Sequence, residues 1–150
     1  MGWVPYVDPD QGGIRARALL AGEPDDFEWF NDWTNLVREV TESGKVMRRA
    51  RVVTEPHVDY TRWGLVVAHR NIEAGEDIRY LARHLVDPSE LSADDFWLFD
   101  DNLVSFTTFT PDGAAGGGAV TTDPVIVEYV RTVWNRVWDK AVPHAEYIRA

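Results

Sequence analysis

The sequence predicts a single α/β (or α+β) domain in which a mixed sheet of about five strands packs against two long helices. Three observations carry the prediction. Apolar residues recur at steps of three and four over residues 27–40 and again over 126–141. Between these segments lie short runs of β-branched and aromatic residues bounded by Pro, Gly, Asp and Asn. A chain of 150 residues that is 45% hydrophobic and 27% charged has the size of one domain and can build a core.

The first helix is read in "EPDDFEWFNDWTNLVREVTESGK", where Phe27, Phe30, Trp33, Leu36, Val37 and Val40 form one stripe. Pro24, Asp25 and Asp26 suit the positive first turn, and Gly44 followed by Lys45 suits the end. "VMRRARVVTE" alternates as a strand and is stopped by Pro56; "TRWGLVVAH" reads as its antiparallel hairpin partner. "NIEAGEDIRYLARHLV" reads as a loop and then a helix carrying Ile78, Leu81 and Leu85 on one face. "DFWLFD" and "LVSFTTF" are two short strands around a turn, the first with apolar groups on both faces, as in a central strand. "TPDGAAGGGAVTT" is a flexible hairpin or a strand–helix connection. In the last helix Asp123 caps, Pro124 fits the first turn, and Ile126, Tyr129, Val130, Val133, Trp134, Val137, Trp138 and Ala141 form a broad stripe that Pro143 closes. Residues 1–22 read as a loosely structured segment with a short helix over "IRARALLAG", and residues 23–150 as the globular domain.

Composition narrows the chemistry. With no cysteine, the chain has no disulfide, thiolate nucleophile or zinc–cysteine site. No apolar run nears the ~18 residues of a membrane span and no signal pattern opens the chain, so a cytoplasmic protein without a membrane partner is expected. A net charge of −10 opposes direct nucleic-acid binding unless a local patch overrides it; the patch Lys45, Arg48, Arg49 and Arg51 reads first as a face for an acidic partner or ligand, with DNA binding the weaker option. Seven tryptophans favour an aromatic-lined pocket or interface.

The catalytic and metal patterns are thin. The glycine-rich stretch lacks the Gly-Lys-Ser/Thr of a P-loop, and Asp123 sits where an anion would bind. His57 and Asp59 form an H-x-D pair with no second ligand pair at metal spacing, and no serine has a nucleophile-elbow context. Asp94, Asp95, Asp100 and Asp101 could gather round a divalent cation, but a turn explains the last two, because Asp tolerates left-handed backbone. No catalytic residue, metal or cofactor is assigned. By contrast, "EPHVDYTRW" and "EAGEDIRYLAR" interleave Tyr60, Arg62, Trp63, Arg79, Tyr80 and Arg83. Guanidinium groups beside aromatic rings suit an anion or planar ligand, and equally the rim of a protein interface.

In fixed order, "RRARVVTEPHVDYTRW", "EAGEDIRYLARH", "DDFWLFDDNLV" and "AVPHAEY" resemble an uncharacterised actinobacterial family of unknown function, common in Streptomyces, over about residues 27 to 147. Its members are often encoded beside helix-turn-helix regulators, so the resemblance implies a regulatory or signalling context. A more distant likeness in element order is to one half of a phospholipase D-type domain. Setting that superfamily's terminal Asp on Asp100 places Ala93 at the nucleophile and Asp95 at the lysine position, so the likeness implies a relative without the catalytic motif.

The expectation is a non-enzymatic regulatory domain that binds a partner protein, such as a helix-turn-helix regulator, or a small ligand through Arg49, Arg51, Tyr60, Arg62, Trp63, Arg79 and Arg83. The alternative is a hydrolase or phosphoesterase of unfamiliar type that brings His57 and Asp59 together with the acidic turn at Asp100 and Asp101. The broad apolar face of the last helix also admits a homodimer.

Overall fold

The computed structural model of the protein describes residues 27–112 and 115–150, without the side chains of Tyr60 and Ala115. The readings made for residues 1–22, and the Pro24–Asp26 start of the first helix, lie outside these residues.

After Phe27, whose φ is +56°, a 3-10 turn at Glu28–Phe30 leads into α1, Asn31–Glu42. Phe30, Thr34 and Val37 are its buried line; Leu36 lies beside that line and is exposed. Gly44, at φ +87°, ends the helix as its sequence position required.

The next stretch corrects the hairpin. β1 (Arg48–Val53) is followed by a 16-residue helix, α2 (Asp59–Ala74), and then by β2 (Asp77–Ala82). The run "TRWGLVVAH" is helical, and its buried residues continue at helical spacing: Trp63, Val67, Ala68, Asn71 and Ala74 are buried, whereas Arg62, Val66, His69, Arg70 and Glu73 face out. Gly75 ends α2 at φ +119°. The segment read as a helix is β2, which pairs in parallel with β1 from Arg48↔Asp77 to Val53↔Ala82. Ile78 and Tyr80 lie in one cluster with Ala68 of α2, while Leu81 lies in the opposite cluster with the last helix. A strand covered on both faces loses the simple polar–apolar alternation, which is why β2 imitates a helix in sequence. Over 48–82 the order is therefore strand–helix–strand, not the strand–strand–helix on which the phospholipase D-type likeness rested.

β3 (Phe96–Phe99) and β4 (Leu103–Phe109) form the expected hairpin, with Asp100 and Asp101 at φ +50° and +58° in its turn. The glycine-rich stretch is in large part a strand, β5 (Ala115–Thr121), antiparallel to β4. The expected five-stranded sheet is thus two three-stranded sheets, β1–β2–β6 and β3–β4–β5, with β6 a two-residue strand at Val142–Pro143. β3 is an edge strand, not a central one.

The last long helix, α3 (Pro124–Lys140), joins the two sheets, and the short α4 (His144–Tyr147) follows β6. Asp123 Oδ1 accepts from the backbone N–H of Val125 (2.8 Å) and Ile126 (3.3 Å), the cap foreseen from sequence. Val127, Val130, Val133, Val137 and Trp138 pack with Ala50 of β1, Leu81 of β2, Phe96 of β3 and Val104 of β4 in one cluster. Ile126 and Tyr129, read as part of that stripe, are exposed. No helix of the described residues is long and apolar enough to cross a membrane.

The α2–β2 turn yields the first prediction. A Cβ at Gly75 would clash with the Thr41 side chain, whose hydroxyl lies 3.1 Å from the Ala74 carbonyl and 2.9 Å from the Val37 carbonyl of its own helix. Gly75→Ala should therefore destabilise the fold by about 2 kcal/mol or more, from the positive φ and the clash together. Urea unfolding measures this; a change within ~0.5 kcal/mol would contradict the turn geometry.

Candidate functional site

The arginines of β1 are spaced two apart, so strand alternation sends Arg49 and Arg51 to the same face, toward the side covered by α1 and α2. Their environments then diverge. Arg49 is 0% exposed, donates from Nε to Glu76 Oε1 at 2.6 Å, and lies between the rings of Trp33 (5.7 Å) and Trp97 (5.5 Å). Burial pushes the Glu76 carboxyl above, and the Arg49 guanidinium below, its ordinary pKa, against the pull of their mutual attraction. Arg49 is therefore part of the interior and not of a binding face.

Arg51 lies one strand period further on, half-buried, and borders a cavity of about 430 Å³. The cavity opens where β1 and β2 end: Val52, Val53 and Thr54 line it from the end of β1, and Arg83 from just past β2. α2 supplies Trp63, Gly64 and Asn71; the segment before β3 supplies Leu91, Ser92 and Asp95. Trp63 is 2% exposed and stacks on Trp29 at 5.6 Å, which fixes an aromatic wall. Arg83 donates to the Val52 carbonyl at 3.4 Å. Among the described residues neither Arg51 nor Arg83 has a carboxylate partner.

His57 also borders the cavity, its Nε2 lying 2.6 Å from the Tyr147 hydroxyl. Burial, and next the Glu55 carboxylate, raise the Tyr147 pKa. Tyr147 stacks on Tyr80 at 4.7 Å, and the Tyr80 hydroxyl meets His144 Nδ1 at 3.1 Å. Burial pushes the Tyr80 phenol up to about 12 against the pull of Arg51 and Arg49, so it is neutral at physiological pH. Arg51 Nε, His57 Nδ1 and Asn71 Oδ1 are buried without a hydrogen-bond partner among the described residues.

Of the seven residues expected to form one face, the cavity unites Arg51, Trp63 and Arg83. Arg62 points away, its side chain 57% exposed and paired with Asp59 at 3.5 Å. Arg79 is on the opposite face of β2, 4.0 Å over the Trp138 ring. Tyr60 opens α2, and its side chain is not among those described. Arg62 and Trp63 are consecutive on α2, about 100° apart, and the helix buries Trp63 while its neighbour faces solvent. Helical spacing would have found the missed residues, since Trp63, Val67 and Asn71 follow at steps of four. Only the segment before β3 carries no local signal.

His57 is the one member of the alternative catalytic set in the cavity lining. Asp59 pairs with Arg62, and Asp100 and Asp101 form an exposed hairpin turn. No group of three His, Asp or Glu placed to hold a metal ion occurs among the described residues.

The Arg49–Glu76 pair is open to a direct test. Glu76→Leu should cost about 3–5 kcal/mol because it removes the carboxylate to which the buried Arg49 guanidinium donates, and Arg49→Met in the same chain should return part of the loss. A double-mutant cycle by urea unfolding decides it, with additive losses being the contrary result.

No curated protein and no solved structure matches the chain. A family model described as a domain of unknown function (DUF6879) matches residues 7–149, reaching well ahead of residue 27, where the motif resemblance began. The chain belongs to this family, the DUF6879 domain family.

Proposed function

We propose that this chain is a non-enzymatic regulatory domain that binds a small ligand in the cavity at the carboxyl ends of β1 and β2. The observation that carries the reading is the position of the cavity. In α/β proteins ligands bind on the side of the sheet where the carboxyl ends of the parallel strands lie, and this cavity lies at the carboxyl ends of the parallel pair β1–β2. Its volume of about 430 Å³ lies in the range of small-molecule sites, and an aromatic wall faces a few fixed polar groups.

Two hydroxyl groups of the lining, those of Ser92 and Thr61, are engaged by the backbone. Ser92 Oγ donates to the Asp94 carbonyl at 2.6 Å, and Thr61 Oγ1 to the Val58 carbonyl at 2.9 Å. Their protons are directed to backbone oxygens and not to His57, so neither is set up as an activated nucleophile. In this reading a helix-turn-helix regulator is the partner that senses the bound state, as the sequence resemblance implies.

Gly64 provides the test. It lies within α2 on the cavity wall, and a Cβ there would make only an ordinary contact, 3.8 Å from Arg51 Nη1. Gly64→Ala should stabilise the helix by about 0.5–1 kcal/mol. Gly64→Leu should fill the cavity while the protein keeps its circular dichroism spectrum. In a thermal-shift screen of metabolites, a ligand at a hundred times its Kd should raise the wild-type Tm by roughly 5–10 °C and leave Gly64→Leu unmoved. Compounds that shift both proteins equally would place binding elsewhere.

A further inference from the structure

We infer that the ligand of this cavity is a compact organic monoanion: a carboxylate carried on a flat apolar body. The inference rests on the cavity being the binding site. Its first support is charge. The chain has 25 acidic residues against 15 Lys and Arg, so an arginine can readily find a carboxylate. Arg62, Arg70, Arg79 and Arg131 each lie within ion-pair distance of one, and Arg49 has Glu76. Among the described residues six arginines lack such a partner (Arg38, Arg48, Arg51, Arg83, Arg136 and Arg149), and of these Arg51 and Arg83 line the cavity. Both side chains line the same cavity, and the forked donors of a guanidinium match the oxygen pair of a carboxylate.

The second support is polar accounting. Arg51 Nε is a buried donor, and Asn71, 1% exposed, has a buried carbonyl oxygen, neither with a partner among the described residues. Leaving a buried polar atom unmet is unfavourable by about 1–3 kcal/mol; neither atom is now exposed to the cavity, so a ligand recovers that energy only where the Arg51 and Asn71 side chains turn toward it.

The size and the walls settle the remainder of the ligand. A cavity of about 430 Å³ is far larger than an inorganic anion, and Trp29, Phe30, Trp63 and Leu91 give it flat apolar surfaces. Asp95 in the same lining and the net charge of −10 both oppose a dianion such as phosphate. One negative charge on a planar body fits all of these together.

The test is isothermal titration of the full chain with 1-naphthoate, its neutral analogue 1-naphthamide, and inorganic phosphate. Arg51→Gln and Arg83→Gln are the variants. Gln keeps a hydrogen-bonding side chain, and loss of the Arg51 charge removes a repulsion on buried Arg49, so both variants should fold. Naphthoate should bind the wild-type protein at least about tenfold more tightly than naphthamide, and either variant should abolish that preference. Equal binding of acid and amide overturns the inference, as does naphthoate affinity unchanged in both variants. Binding of phosphate alone, or no naphthoate binding at millimolar concentration, overturns it as well. In each of these cases the cavity still stands or falls separately, by whether any library hit is lost in Gly64→Leu.

Discussion

A guanidinium with no access to water is the constraint around which this protein is arranged. Arg49 reaches across from β1 to Glu76, ahead of β2, and is enclosed by Trp33 of α1 and Trp97 of β3. Among the described residues, four segments distant in sequence meet at this one charge. Burial disfavours the charged form at both ends of the pair, so its attraction does not make it a simple source of stability. What it supplies is uniqueness. A slip of β1 by one residue would turn Arg49 toward the opposite face, among Val130, Val133 and Val137, and bring Ala50 to Glu76. The aromatic rings help hold the cation where it is, because a desolvated guanidinium over a ring face gains about 2 kcal/mol.

How much of this was legible in the sequence depends on how locally each element is specified. The Asp123 cap, the Gly44 terminus and the Asp100–Asp101 turn are decided within a few residues, and each is where its side chain requires. α2 and β2 were exchanged for the opposite reason. β2 is apolar on both faces because α2 covers one and α3 the other, and such a strand shows no period of two. α2 was read through a window, residues 61–69, too short to show its polar face, and the rest of the helix was assigned to the loop that follows. The number of sheets was equally hidden. That β3, β4 and β5 form their own sheet depends on α3 packing across both, and α3 carries no mark of having two partners.

The site was legible to the extent that residue chemistry is. Interleaved arginines and aromatics directed attention to the right stretch, and Arg51, Trp63 and Arg83 do share a cavity. Sequence alone could not tell Arg49 from Arg51, although they face the same way. The distinction is depth along one strand: Arg49 is in the middle of the packed layers, whereas Arg51 is nearer the end, where the layers open. Nor could it tell Arg83, beyond the end of β2, from Arg79, which is inside the strand and turned to Trp138.

The two arginines of β1 also bear on how a bound anion would be felt. Arg51 disfavours the charge on Arg49 and favours the charge on Glu76. An anion that neutralised Arg51 would relax the first effect and remove the second, with opposing consequences at the two ends of one pair. Coupling between ligand and partner requires an element whose two arrangements the ligand distinguishes. The better candidate for that element is the open side of the cavity, where Arg83 donates to the Val52 carbonyl across the ends of both strands. A carboxylate drawing Arg83 inward would compete with that long bond at a place already open to solvent, while the fold beneath it stays as it was.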